Sequence, residues 1–548
     1  MDVLGYTRIP QEDIAATAHD PISSWFQLVK GEPLTRTGYG DIFLEMEFFP
    51  AEKAHARLEV PHTPFPMRPA CHVTLYQDAH GDADHAHRMS LGSRASLRCE
   101  PTHAWQDLHA HLQGARQFIY ITGWSVWVNL RILRAECSPV ETLGELLVRK
   151  ASEGVPVLVM IWDEITSVSD RPALSGLMGT FDEETKSYFK NTGVVVGAMP
   201  HPGSTLNAMY FTHHQKSVIC DAAHPDGTRR AVAYMGGLDL TAGRWDTPAH
   251  NLFKTLETAH KEDFYQNCCL PAVSSSVGPR EPWHDIHCRV EGPVVRDLLT
   301  NFEQRWHKQV PSLANSLVHI PAKLFEPVEA SNGRQDAEEA FGWRCQLLRS
   351  IDYRCACISH FVERTIQDGY IHHIRRAKRF IYIENQYFIG SSHMWDTHAA
   401  PKADNLIPLE LVNKIVHKIS KDEPFCVYVV IPMFPEGVPS SGAVQEVLRW
   451  QWHTVCMMYA RIAAALRAKK ITDRHPQDYL VFFCLGNREV DGAAPTAPSA
   501  KGVHGCTANC RAAIYVHSKM MIVDDEVIIV GSANINERSM NGSRPTEP

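Results

Sequence analysis

From about residue 70 the chain alternates short apolar runs with amphipathic stretches, a pattern that predicts strands joined by helical crossovers and so an α/β layer architecture. The strand candidates are HVTLYQ (72–77), QFIYITGW (117–124), VPVLVMIW (155–162), KSVICD (216–221) and AVAYMGGLD (231–239). Between the second and third, ETLGELLVRKASEG spaces its apolar residues for one helix face and ends on Gly154, a natural helix terminator. Ahead of this pattern, SSWFQLV (23–29) and GDIFLEMEFF (40–49) read as strands, the second with Ile42, Leu44, Met46 and Phe48 alternating against Phe43, Glu45 and Glu47. Two strands do not make a stable domain alone, so they must pack on more sheet than they supply.

The second half repeats the first. ARQFIYITGWS (115–125) aligns with AKRFIYIENQY (377–387), VPVLVMIWD (155–163) with FCVYVVIPM (425–433), and HHQKSVICD (213–221) with VHSKMMIVD (516–524). The last pair is followed in each half by a strand that reaches a small pair, Gly236-Gly237 or Gly531-Ser532. Matches in the same order indicate a duplicated unit. The expected organisation is a β segment over 1–65, a first α/β half over 66–310, a linker over 311–345 and a second half over 346–548, with the two halves facing one another. The polar SNGRQDAEEA (331–340) and DGAAPTAPSAKG (491–502) are expected to be solvent-exposed.

A chain of 548 residues with 44% hydrophobic positions can bury several cores, and disorder is excluded. Lys and Arg total 54 against 62 Asp and Glu, a net charge of −8, so no chain-wide positive field draws it to nucleic acid or anionic membrane. Contact with phosphate must then be local. The longest apolar runs, such as Phe425 to Phe434, reach about half of the roughly 20 residues that cross a bilayer. Asp2, Glu12 and Asp13 stand where a signal peptide needs basic residues, which implies a cytoplasmic protein with reduced thiols. The 15 cysteines contain no CxxC pair, and Cys355/Cys357 and Cys506/Cys510 do not match a zinc site, so no metal is assigned.

The chemistry lies in two H-x-K-x4-D motifs: His214, Lys216 and Asp221, then His517, Lys519 and Asp524. On a strand, residues two apart share a face, so each His projects with its Lys while Gln215 or Ser518 points away. Two such pairs converging across a cleft suit an oxyanion with several non-bridging oxygens, phosphate above all. One imidazole can attack phosphorus while the other protonates the leaving alcohol and later takes a proton from water; spacing does not say which does which. Lys216, Lys519 and Asn534 are the candidate phosphate-binding groups. Asp221 and Asp524 complete the motif and are expected at strand ends, holding loops. This chemistry requires no cofactor.

These residues resemble the phospholipase D superfamily, and more closely its plant-type, phosphatidylcholine-hydrolysing members. The similarity is carried by VTLYQDAH (73–80), IYITGWSVW (119–127), MYFTHHQKSVICD (209–221), MGGLDLTAGRWDTPAH (235–250), GPREPWHDIH (278–287), IYIENQYFIGSS (381–392), FFCLGNREV (482–490) and YVHSKMMIVDDEVIIVGSANINERSM (515–540). The resemblance implies two phospholipase D-type α/β halves around a shared active-site cleft, preceded by the remnant of a C2-type β-sandwich. It implies His214 as nucleophile and His517 as acid/base, and it adds Asp285 and Glu547 as the acids that orient them. It further implies a phosphodiesterase that releases phosphatidic acid and a head-group alcohol through a phosphohistidine, with water or a small alcohol as acceptor. The partner is then a phospholipid membrane surface approached peripherally, with no nucleic acid, and calcium is possible. Two departures stand out: Arg544-Pro545-Thr546-Glu547-Pro548 replaces the family's R-D-[ST]-E, and only about the last two C2 strands are present, as if the family pattern were truncated at both ends. A nuclease-like phosphodiesterase and an inactive relic that binds acidic lipid are the rival readings.

Overall fold

The computed structural model describes residues 9, 22–30, 36–46, 57–77, 103–134, 141–167, 178–200, 212–224, 227–267, 278–327, 342–358, 362–397, 402–489 and 509–542. The segments 331–340 and 491–502, and Glu547, lie outside them. The chain divides into two compact units, Met1–Leu58 and Glu59–Pro548. In the first, β1 (Ile22–Lys30) and β2 (Arg36–Met46) form an antiparallel hairpin in which Trp25 lies across from Phe43, ring centroids 5.3 Å apart.

The second unit begins with β3 (Arg68–Gln77), α1 (Ala104–Gly114), β4 (Ile119–Gly123), α2 (Leu143–Ser152), β5 (Val157–Trp162), α3 (Asp182–Phe189) and β6 (Val194–Met199). It continues through β7 (Ser217–Ala223), β8 (Arg229–Gly236), β9 (Trp283–His284), β10 (Ile286–Glu291), α4 (Val294–Gln309) and β11 (Trp343–Cys345). An eight-stranded sheet orders these as β11-β3-β10-β8-β7-β4-β5-β6. Beyond β12 (Ser350–Asp352) and β13 (Val362–Arg364) come α5 (Thr365–Arg376), β14 (Phe380–Asn385), α6 (Ile407–Lys421), β15 (Cys426–Val430), α7 (Gly442–Ala468) and β16 (Leu480–Phe483). The chain then passes through β17 (Gly486–Arg488), β18 (Arg511–Ala513), β19 (Tyr515–Val516), β20 (Lys519–Val523), β21 (Val527–Val530) and α8 (Glu537–Met540). The second sheet is β16-β15-β14-β20-β21.

Strand register shows the duplication. Parallel β4 and β5 set Ile119 beside Val157, as parallel β14 and β15 set Ile381 beside Val427. Antiparallel β4 and β7 set Ile119 beside Cys220, as β14 and β20 set Ile381 beside Val523. Both faces of the first sheet are covered. Ile119 and Ile121 pack with Leu108 and Leu112 of α1 and Leu146 and Leu147 of α2, whereas Phe118 and Tyr120 face Leu298, Phe302 and Trp306 of α4. Each such buried side chain contributes about 1.5–3 kcal/mol, which is why these strands are continuous apolar runs. In the second half Ile381, Ile383, Met521 and Val523 pack on Leu411, Ile415, Met458 and Ile462 of α6 and α7. The helix expected up to Gly154 starts with a capping box between Thr142 and Glu145, and Gly154 takes φ +85°, which a side chain would strain.

Part of the region expected as linker is packed. Leu324 and Phe325 are buried against the α4 face of the first sheet, and Trp343–Cys345 joins that sheet as an edge strand beside β3. Apolar residues spaced without helix or strand period gave no sign of this, because their partners lie in distant elements. Between the halves, β9 and β19 form a short parallel bridge, Tyr515 beside Trp283 and Val516 beside His284.

Candidate active site

The strand predicted from Lys216 starts one residue later, at Ser217, and β20 starts at Lys519, so both motif histidines sit on the segments feeding the strands. Each lysine folds back over its own histidine's backbone. Lys216 Nζ donates to the His214 carbonyl at 2.9 Å, and Lys519 Nζ donates to the His517 carbonyl. At the far end of each strand the motif aspartate caps backbone. Asp221 accepts from the N–H groups of Arg116, Gln117 and Phe118 and pairs with Arg229, and Asp524 accepts from those of Lys378, Arg379 and Phe380. Five residues of extended chain, about 16 Å, separate Asp221 from Lys216. The aspartates are therefore not brought to the histidine pair; they fix where the motif strand docks on β4 or β14.

The two histidines meet across the halves, ring centroids 6.2 Å apart. His214 Nδ1 donates to the Ser532 carbonyl at 3.1 Å. A carbonyl can only accept, so Nδ1 carries the proton and Nε2 keeps its lone pair. His517 Nδ1 contacts Asp285 Oδ2 at 2.7 Å, which selects the same tautomer and places a carboxylate behind the ring. Asp285 also accepts from the indole N–H of Trp283 at 3.1 Å and from its neighbour's backbone, Ile286 N–H, at 2.9 Å. The Trp283 ring lies 4.7 Å from that of His517, with the Arg244 guanidinium 4.0 Å above it. The glycine pair permits this closeness: a Cβ on Gly237 would fall 1.9 Å from Asp285 Oδ1.

The comparisons with known proteins agree with one another. A family model described as Phospholipase D matches residues 111–548. Phospholipase D alpha 2 of Arabidopsis thaliana is 41% identical over 604 residues, covering 100% of this chain and 72% of the relative. Phospholipase D alpha 1 of Carica papaya is 42% identical over 605 residues with the same coverage, and phospholipase D alpha 2 of Oryza sativa subsp. japonica is 46% identical over 531 residues, 89% of this chain and 64% of the relative. The chain belongs to the phospholipase D family.

Within this phospholipase D the two lysines have different company. Lys216 is ion-paired with buried Asp239 at 3.1 Å, while Lys519 donates at 3.1 Å to Gln386 Oε1, which also accepts from Asn534 Nδ2 at 3.0 Å. Asp239, Gln386 and Trp283 were not singled out from the sequence as site residues; the only signal for Gln386 was its place just past the end of a repeated strand. Burial holds the pKa of His517 well below the ordinary imidazole range, and the charges of Lys519, Lys216, His214 and Arg244 push the same way. Burial also raises Asp285, opposed by Lys519 and by its hydrogen bond from Trp283. A negative charge brought beside the ring would act in the opposite direction and favour the His517 imidazolium.

Glu547, the other acid implied by the resemblance, lies outside the described residues. Among the described residues, Asp163, Asp182 and Glu183 bring carboxylate oxygens within 4.8 Å of one another. Lys186 Nζ already bonds Asp163 and Glu183, and the hydroxyls of Ser167 and Thr180 donate to Asp182. These acids fit their ammonium and hydroxyl partners rather than a calcium ion.

Proposed function

We propose that this phospholipase D hydrolyses the distal phosphodiester of phosphatidylcholine-like glycerophospholipids, with His214 as nucleophile and His517 as general acid and base. His214 Nε2 forms a bond to phosphorus as the bond to the head-group oxygen breaks, and His517, which takes a proton from solvent at Nε2 when the anionic phosphodiester is bound, gives that proton to the oxygen. Water then loses a proton to His517 and attacks phosphorus, the N–P bond breaks, and phosphatidic acid leaves. A small alcohol in place of water gives the phosphatidyl ester. Lys216 and Lys519, with Asn534 beside Gln386, offer donors for the phosphoryl oxygens as charge builds. The observation that carries the reading is the pair of imidazoles 6.2 Å apart, both held as the Nε2 lone-pair tautomer. What supports His517 as the acid/base is the Asp285 carboxylate, since a charge behind the ring favours the imidazolium that role passes through.

Neither rival reading is favoured: the relatives are phospholipases rather than nucleases, and the two motif histidine rings come within 6.2 Å of one another across the halves. Among the described residues no helix is long and apolar enough to cross a membrane; from the resemblance to plant-type phospholipases D we take contact with the lipid surface to be peripheral. A calcium requirement is tested by the same assay with and without chelator. Choline release from phosphatidylcholine vesicles containing ethanol is compared for the parent, His214→Ala and His517→Ala at matched soluble yield. Choline and phosphatidylethanol from the parent, each lower by about 1,000-fold or more in both variants, is the expected result. Residual phosphatidylethanol from His214→Ala near the parent level overturns the covalent mechanism.

A further inference from the structure

We propose that Glu384 is a positioning residue for the acid/base histidine, acting across the two halves through His284 and Asp285. This rests on the role given to His517 above. Glu384 lies on β14 of the second half, His284 on β9 of the first, and the two are 3% and 5% exposed. His284 Nε2 meets Glu384 Oε2 at 2.8 Å, and Tyr382 Oη donates to the other carboxylate oxygen at 2.7 Å. The His284 carbonyl accepts the His517 backbone N–H at 2.7 Å. The next residue, Asp285, grips the His517 ring at 2.7 Å. The tripeptide Trp283-His284-Asp285 therefore touches His517 at its backbone, its Nδ1 and its ring face, and Glu384 is the charged anchor of that tripeptide's middle residue on the opposite half.

Burial alone would raise the Glu384 carboxyl, but the hydrogen bond and charge of His284, with the donors of Tyr382 and Ser518, hold it below the ordinary range. It stands as a carboxylate facing imidazole, with the His250 ring 5.6 Å beyond His284. Glu384 bonds Tyr382 and His284, the latter one residue removed from Asp285, the partner of the motif histidine. Its influence on chemistry must pass through the geometry of Asp285 and His517, where small displacements are costly because a catalytic hydrogen bond weakens steeply with distance and angle.

The test uses the full chain with Glu384→Ala and Glu384→Gln. The first deletes the anchor, and the second keeps an acceptor for His284 without the charge. Two readouts are taken: kcat and KM for choline release, and the titration of His517 in 13C-histidine-labelled protein, assigned by its loss in His517→Ala. The expected result for Glu384→Ala is kcat lower by about 10- to 100-fold, KM within about twofold of the parent, and a displaced His517 titration; Glu384→Gln recovers part of both. Parent-like kcat and parent-like titration in Glu384→Gln and Glu384→Ala overturn the proposal. So does a loss in kcat that disappears when the assay is cooled in step with the fall in Tm, which marks a merely structural role. If Glu384→Ala does not fold, Glu384→Gln alone decides, an unchanged His517 titration counting against. A parent that releases no choline would overturn the substrate reading, while the titration still answers for the anchor.

Discussion

Replacing Asp285 by Asn keeps the shape of the buried side chain and removes the charge behind His517. With the two groups in contact at 2.7 Å, their charge centres stand about 4 Å apart, and at an effective dielectric of about 20 the imidazolium is stabilised by about 4 kcal/mol. The amide retains a neutral hydrogen bond worth about 1 kcal/mol, leaving a loss of about 3 kcal/mol in any state where His517 is protonated. At 1.36 kcal/mol per decade, kcat falls about 100- to 200-fold. The sign in pH follows. His517 is already held low by burial and by the neighbouring cations, and loss of the carboxylate lowers it further, so the limb of the kcat profile where the acid is lost moves down by about two pH units. The assay is choline release from saturating vesicles across pH 4–9, with a thermal melt to confirm folding. A kcat within threefold of the parent, with the limb in place, would refute the argument that Asp285 stabilises the imidazolium.

Gly237→Ala should cost as much as Asp285→Asn or more, because its Cβ lands 1.9 Å from Asp285 Oδ1 and the carboxylate must move; an unchanged kcat would show that the acid has room the packing does not suggest. Asp524→Ala leaves the N–H groups of Lys378, Arg379 and Phe380, now bonded at 2.6, 2.7 and 2.9 Å, without their acceptor. It should lower unfolding stability by about 3 kcal/mol in urea while the folded fraction keeps the parent's pH profile, and a shifted profile would return Asp524 to the chemistry.

Much of the fold can be read locally. FIYIT is apolar at every position because Ile119 and Ile121 meet one helical layer and Phe118 and Tyr120 another, and the same both-faces-buried condition makes the second-half strand apolar in turn. The repeated H-x-K-x4-D spacing is legible for a similar reason: motif and strand are one local unit, used twice. The 27-residue α7 and the edge strand β11 left weaker traces, since a partly exposed helix and a three-residue strand carry little periodicity of their own.

The amino-acid sequence by itself determined the succession of strands and helices along each half, their repetition, the two histidine–lysine pairs and, through its resemblance, the acid at Asp285. It could not say that this acid serves the histidine 232 residues away in the other half, that Lys216 is paired with Asp239 while Lys519 is bridged through Gln386 to Asn534, or that His284 and Glu384 tie the halves behind the site. Periodicity reports which face of an element is buried, because that is set by residues two to four positions apart. Which side chains then meet is set by how two sheets dock, and only the tertiary structure carries that.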